Sequence, residues 1–413
     1  GGVRQNVREE QRYHDFGAVA ETLRRYELAT GQPVLALSGW EVEDRRIQPP
    51  APLLDRLMRI PPRLLGYSHP HDFAQAKALA AEALGWRVTL GGARLRGEQI
   101  AVLQNSTQGL LLALAALRAR DVTRIVIAAP SYFAAVDACH HLGLQTTILP
   151  ARDFLTGALD VERIAATLRG DPTAALLLTN PAYSLGVEYG WDQLRALFAA
   201  LPEEAPVLLD ETRLGIAWTG ETPWYAADYP ASVLVLRSPS KIFLVNGLKT
   251  SFLYGSAPII RDVERLHEAL LGSVAGNAEA VALAYLDTWR DWLAELEQDR
   301  DGPMRQWRRA LVRRLSANLT AVSPLLAVHG YDLSPINSGP YVLAGARRGA
   351  GTGSRELDCA RVARELGILL MDGRYFFHES PSWTGFRLNL CGDPSRACTA
   401  LDRLFPTFAG VSH

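Results

Sequence analysis

Lysine is almost missing from this sequence: it occurs only as Lys77, Lys241 and Lys249, and the other 40 of the 43 basic residues are arginine. Arginine keeps its proton near neutral pH and cannot serve as an amine nucleophile, so a lysine retained against that background is informative. Cysteine is scarce too, with Cys139, Cys359, Cys391 and Cys398 alone. No C-x-x-C pair occurs, and the nine histidines show no ligand spacing with the cysteines. Neither a zinc site nor a disulfide framework is expected, and no metal. Neither sign of charge is in excess, with 43 basic and 44 acidic residues. A nucleic-acid binder would show a basic stripe and a membrane-surface protein a basic amphipathic helix, and neither is visible. No apolar run is long enough to span a bilayer. The start of the chain is polar and charged through Arg25, unlike a secretory signal. The expectation is a cytoplasmic protein whose partner is a small molecule, with no nucleic acid and no membrane.

What is present suits a large folded body. The 413 residues are 48% hydrophobic, enough for a sizeable core and more than one compact unit usually holds. Short runs rich in Val, Ile and Leu recur at Gln99–Gln104, Arg124–Pro130, Thr146–Pro150, Ala174–Asn180, Ala205–Glu211, Ser232–Ser238 and Thr250–Ser256. Each is too short for a typical helix and suits a strand buried on both faces. Helical patterns lie between them at Thr107–Arg118, Phe133–Leu142, Val161–Leu168 and Trp191–Ala200. Alternation of strand and helix implies an α/β fold with a mostly parallel sheet flanked by helices. From Ile260 to Leu319 the pattern is long and helical, broken near Gly302-Pro303. Beyond it, shorter strand-like runs at Tyr341–Ala344 and Gly385–Cys391 flank a loop rich in glycine and arginine, Gly345–Gly353.

Ligands of an open parallel sheet bind beyond the carboxyl ends of its strands, so the residues just after each run deserve inspection. Lys241 follows one run in Ser238-Pro239-Ser240-Lys241. An amine there could hold an aldehyde as a Schiff base, although a single lysine is ordinarily a surface residue. Asp210 ends another run. A carboxylate at the end of a buried strand needs a partner, and a protonated pyridine nitrogen would be one; a helix cap or surface acid is the plainer reading. Asn105, Ser106 and Thr107 open an apolar helix, where hydroxyls and free N–H groups make an anion site compatible with a simple N-cap. Tyr132 could stack on a planar ring, but taken alone reads better as a core tyrosine. Arg387 sits inside the apolar run Phe386-Arg387-Leu388, where it needs either a substrate carboxylate or an internal salt bridge.

Taken together, these residues resemble the fold-type I enzymes that use pyridoxal 5′-phosphate (PLP), and in particular the class I/II aminotransferase group, from about Leu37 to about Leu404. Ser238-Pro239-Ser240-Lys241 with Asn246-Gly247-Leu248-Lys249 is similar to the family's lysine motif, and Asp210-Glu211 to its Asp-Glu pair. Asn180-Pro181-Ala182-Tyr183-Ser184-Leu185-Gly186 is similar to its Asn-Pro-rich loop. The resemblance implies a seven-stranded sheet with a smaller α+β C-terminal domain. The expected division is an N-terminal segment over residues 1–49 packing with the small domain, a PLP-binding domain over 50–295, and a C-terminal domain over 296–413. It implies that Lys241 carries the cofactor and moves the α-proton, that Asp210 pairs with the pyridine nitrogen, and that Tyr132 stacks on the ring. Asn105, Ser106, Thr107, Ser238 and Lys249 would surround the phosphate. Arg387 would hold the substrate α-carboxylate beside Gly39 and Trp40. Tyr67 matches a tyrosine that reaches the cofactor phosphate of the partner subunit, which implies a homodimer with shared active sites.

Three positions depart from the family pattern. Tyr183 stands where asparagine is usual, Arg213 where tyrosine is usual, and Lys249 where the phosphate arginine is usual. The first two family residues bond the cofactor's phenolic oxygen, so Tyr183 replacing the phenol lost at 213 is one expectation, with Asn180 as the other candidate. An aminotransferase acting on an α-amino acid is the leading expectation. The alternative is another PLP reaction on an unusual amino acid, such as elimination or replacement on a sulfonium substrate, oxidation, or carbon–carbon bond formation.

Overall fold

The short apolar runs of Val, Ile, Leu and Ala assemble into one sheet because their side chains alternate between two cores. In the run Arg124–Ala128, Ile125 and Ile127 enter one core while Val126 and Ala128 enter the other. A strand covered on both faces has no polar side to show, which is why these segments read as continuous apolar runs. A computed structural model describes residues 16–63, 65–347, 358–378 and 383–409. Its main strands are β1 (Ile100–Leu103), β2 (Arg124–Ala128), β3 (Gln145–Leu149), β4 (Ala174–Thr179), β5 (Val207–Asp210), β6 (Val233–Arg237) and β7 (Ser251–Tyr254). Their order across the sheet is β1-β7-β6-β5-β4-β2-β3. All neighbours are parallel except β7, which runs antiparallel to both β6 and β1.

The helix after β1, α1 (Ser106–Arg118), packs directly on the sheet. Gly109 permits that approach: a Cβ there would come within 2.6 Å of Leu236 and 2.9 Å of Leu103. The long helical stretch expected from Ile260 to Leu319 is instead three helices, α2 (Ala257–Leu271), α3 (Ala278–Glu297) and α4 (Pro303–Val328). The break at Gly302-Pro303 was legible; the earlier one follows Gly272, whose positive φ of 65° ends α2 in a conformation that other residues resist.

A second, antiparallel sheet has the order β8 (Asp332–Leu333), β9 (Tyr341–Arg347) and β10 (Trp383–Asn389). The first three residues of the glycine- and arginine-rich segment continue β9 rather than forming a loop, because pairing with β10 extends to Arg347 opposite Trp383. The remainder of that segment, 348–353, lies outside the described residues, as do residues 1–15. The backbone at 35–36 pairs in parallel with 368–369, and the Asn389 amide donates to the Leu37 carbonyl at 2.9 Å. These bonds lay residues 37–41 along β10, next to Arg387.

Candidate active site

The sheet topology brings six chain segments of the site to one edge. β1, β2, β4, β5 and β6 all end there, and the antiparallel β7 begins there, so Lys249 and Thr250 arrive from the other direction. A cavity of about 320 Å³ opens at this edge, within the range of small-ligand sites. Ten of the expected residues line it: Asn105, Ser106 and Thr107 with Ser238 and Lys249 on one side, and Trp40, Tyr132, Tyr183, Arg213 and Lys241 around the rest.

The anion-binding end is built by α1. Asn105 caps it, its side chain accepting from the Gln108 amide at 2.9 Å. Asn105, Ser106 and Thr107 at the N-terminus of α1 line the cavity together with Lys249, a setting suited to an anion. Ser238 is fixed by a 3.1 Å bond from its hydroxyl to the Thr250 carbonyl and by one from Ser251 at 2.9 Å. Thr107 and Tyr132 share a hydrogen bond of 3.1 Å, which holds the tyrosine ring at the cavity wall.

Lys241 lies in the short helix Pro239–Ile242 that follows β6, and donates to the Thr212 hydroxyl at 3.3 Å. Burial, aided by the nearby Arg213 and Lys249, pulls its ammonium down to about 7, against the opposing pull of Asp210. At neutral pH a large share of this amine is therefore unprotonated and nucleophilic. Asp210, buried at the end of β5, accepts from the Thr212 amide at 3.1 Å. The lysine and the carboxylate are thus joined through one residue, Thr212.

Arg387 is fully buried in β10. One of its nitrogens donates to the Ser38 carbonyl at 2.5 Å and another to the Tyr183 hydroxyl at 3.4 Å. Its guanidinium lies 5.0 Å from the centroid of the Trp40 ring and 4.4 Å from that of Tyr341. Arg213 also lies 4.4 Å from the Tyr341 centroid. Tyr183 is placed there by Gly186, whose φ is +67° and whose missing Cβ would stand 2.3 Å from the Tyr341 carbonyl. Burial pushes the Tyr183 phenol up to about 12, with Arg387 opposing, so it is a neutral hydroxyl.

Other expected residues lie elsewhere. Asn180 is fully buried, but its amide donates to the Tyr189 carbonyl and to Tyr225 while accepting from the Tyr189 N–H. It braces its own loop, and Tyr183 and Arg213 line the cavity beside Lys241. Gly39 lies behind Trp40, against Ala36. Tyr67 is 88% exposed and does not line the cavity of its own chain. Nearby, His69, His71 and Glu268 gather at the surface, with His69 bonded to Glu268 at 3.0 Å. Lys77, the third lysine, forms an ion pair with Glu264. Sequence reasoning missed Thr212, Glu41 and Tyr341. Thr212 stands two residues beyond a candidate carboxylate, a signal that was available; nothing local marks Tyr341 as the ring beneath two guanidinium groups.

An enclosed amine, a buried carboxylate, an aromatic wall and a helix N-terminus beside a lysine form a donor set that fits PLP: a site for its aldehyde, its ring nitrogen, its ring face and its phosphate. The fold and this site define the class of PLP-dependent type I enzymes, and comparison with solved structures agrees on the fold. A methionine aminotransferase from Escherichia coli superposes with a TM-score of 0.71 at 19% identity, covering 95% of this chain and 96% of that one. Aspartate aminotransferase from Thermus thermophilus, solved with maleate, gives 0.73 at 19% identity over 94% of both chains. Residues 54–404 match the family of class I and II aminotransferases, and the chain belongs to it. Among sequence relatives, histidinol-phosphate aminotransferase of Moorella thermoacetica is 26% identical over 184 residues, 44% of this chain and 47% of that protein. The match thus spans about half of that relative's length. A probable aminotransferase of Mycobacterium tuberculosis is 25% identical over 340 residues, 80% of this chain and 76% of that protein.

Proposed function

We propose that this protein is a PLP-dependent aminotransferase acting on an α-amino acid. The observation that carries the reading is Lys241, an enclosed amine lowered to about 7 that is linked through Thr212 to the buried Asp210. When bound, PLP supplies an aldehyde for amine capture and a ring that withdraws electrons from the substrate α-carbon. Lys241 would hold that aldehyde and, once displaced by the substrate amine, carry the proton removed from the α-carbon. Asp210 would keep the ring nitrogen protonated. Asn105, Ser106, Thr107, Ser238 and Lys249 would hold the phosphate, and Tyr132 would cover the ring. Arg387 would orient the α-carboxylate, with Gly39 and Trp40 closing the pocket above it. Of the three residues weighed for the phenolic oxygen, Tyr183 and Arg213 line the cavity beside Lys241, while the Asn180 amide is bonded to Tyr189 and Tyr225.

The reading assigns residues 50–295 to the cofactor-holding domain, and 296–413 to a smaller domain with which residues 1–49 pack. It places Tyr67 of each subunit at the other's phosphate in a cytoplasmic homodimer. No described helix is long and apolar enough to cross a membrane. Elimination, replacement, oxidation or carbon–carbon bond formation on an unusual amino acid is the competing chemistry, and family membership favours transamination over it. The test is to incubate PLP-loaded protein with a panel of amino acids, one at a time, without an acceptor. Transamination yields the keto acid in an amount equal to the enzyme and converts the cofactor to its amine form. Ammonia released over many turnovers would contradict it.

A further inference from the structure

Two histidines and a carboxylate converge near Tyr67, outside the cofactor cavity. His69 and His71 flank the buried Pro70 in a tight turn. The turn is closed by the Asp72 amide donating to the His69 carbonyl at 3.0 Å and the Phe73 amide donating to the Pro70 carbonyl at 3.2 Å. Glu268 comes from α2, 199 residues beyond His69. Its Oε2 is 3.0 Å from His69 Nδ1 and 3.8 Å from His71 Nδ1. One ligand atom from each of the three residues lies within 4.8 Å of the other two. The sequence predicts no metal because its histidines and cysteines share no spacing; this group forms only when α2 brings Glu268 to the turn.

The turn is held to its surroundings independently of these three side chains. The Val274 amide donates to the Ser68 carbonyl at 2.8 Å. Lys77 donates to the His71 carbonyl at 3.0 Å and forms its ion pair with Glu264, one helical turn before Glu268. The far nitrogen of His71, Nε2, lies 3.4 Å from Asp72 Oδ1. A carboxylate on the second nitrogen is what fixes the tautomer and orientation of a metal-bound imidazole. His267, on the same face of α2, is 3% exposed, and its Nε2 has no hydrogen-bond partner. It shares with His71 and Glu264 a cavity of about 10 Å³, room for about one water.

An ordinary histidine–glutamate pair uses one ring. Here a single carboxylate oxygen faces two, on a turn that is already braced, and an unpartnered imidazole nitrogen is close by. We infer that His69, His71 and Glu268 bind one divalent cation of the zinc type, with water completing the coordination. Imidazole ligands suit Zn²⁺ and its first-row neighbours, whereas Mg²⁺ and Ca²⁺ take oxygen ligands. Small rotations of these partly exposed side chains bring the ligand atoms to the required distance of about 2.0–2.2 Å from the metal. The metal clamps the turn after Tyr67 to α2.

The test is calorimetric titration of the PLP-loaded protein, stripped of metal by a chelator, with Zn²⁺ and with Mg²⁺. The expected result is one Zn²⁺ per chain with a dissociation constant on the order of 1 μM or below, and no heat from Mg²⁺. His69→Ala, His71→Ala and Glu268→Gln should each weaken Zn²⁺ by about 10- to 100-fold, with Asp72→Asn at the low end of that range. Zn²⁺ should raise the thermal midpoint of the unaltered protein and leave that of the double variant His69→Ala, His71→Ala unmoved. Cofactor absorbance reports that each variant is folded. Cys398→Ser, which removes the one cysteine that is not buried, should change nothing. Zn²⁺ binding that survives in the double variant would place the metal at the cofactor or a thiol and overturn the inference. Absence of binding up to about 100 μM, or Mg²⁺ binding as tight as Zn²⁺, would overturn it as well. The site lies outside the cofactor cavity, so the unloaded protein should give the same result.

Discussion

Two arginines buried in strands, Arg237 in β6 and Arg387 in β10, differ in one respect that separates framework from site. Arg237 is 1% exposed and gives two bonds to Glu211, at 3.1 Å and 2.7 Å. The other oxygen of Glu211 accepts from the hydroxyls of Tyr225 and Tyr229, and the guanidinium face stacks 4.6 Å from the Trp224 centroid. Arg387 is equally buried, yet its partners are a carbonyl and a phenol. Where the counter-charge is built in, the cation belongs to the architecture. Where it is missing, the free energy of pairing is left for a ligand to supply. Asp210 and Glu211 show the same division between neighbours: Glu211 is committed to Arg237, while Asp210 faces the lysine's side of the sheet edge.

The contrast can be broken by substitution. The largest effect belongs to the amine itself: Lys241→Ala should lower turnover by about a thousandfold or more, measured as keto-acid formation. Thermal stability should not fall. Glu211→Gln should act the other way, leaving Arg237 buried and unpaired and costing about 3–5 kcal/mol of stability in denaturant unfolding. The cofactor absorbance should persist in whatever fraction stays folded. Arg387→Gln should raise KM for the amino acid about 10- to 100-fold with little loss of stability. If Arg387→Gln instead unfolds the protein and Glu211→Gln does not, the division between framework and site is wrong.

A pH experiment sharpens the comparison further. The folded-state pKa of Lys241 lies near 7, below its ordinary value of 10.5, so only the fraction unprotonated at a given pH captures an aldehyde. Uptake of PLP by the unloaded protein should rise about tenfold per pH unit below 7 and level off above it. Between pH 7 and the unfolded value the unfolded chain binds more protons, so the stability contributed by this residue rises with pH across that window. Lys241→Met should flatten both profiles. The smallest change is Tyr183→Phe, which removes one bond of 3.4 Å and should alter affinity for the α-carboxylate less than about threefold, while shifting the pH at which the cofactor's visible band changes.

Much of the fold was legible because the main strands are covered on both faces, so their apolar runs are uninterrupted and end where turn residues begin. β4 was read within a residue, and helix Trp191–Ala200 with both ends. The break after α2 was missed because a lone glycine ends a helix only when its φ turns positive, which composition does not reveal. At the site, the scarcity of lysine singled out Lys241. The bonds of Asn180 to Tyr189 and Tyr225 were not legible, because they depend on loops separated in sequence. Phe386-Arg387-Leu388 and Leu236-Arg237-Ser238 look alike as text; only the opposite strand shows which of the two has a carboxylate.

The central claim concerns one covalent position, and the composition of the chain makes it easy to test. Protein incubated with PLP, reduced with borohydride and mapped by peptide mass spectrometry should carry one pyridoxyl group, on Lys241, with Lys77 and Lys249 unmodified. A label spread over the three lysines, or resting on Lys249 alone, would contradict the account.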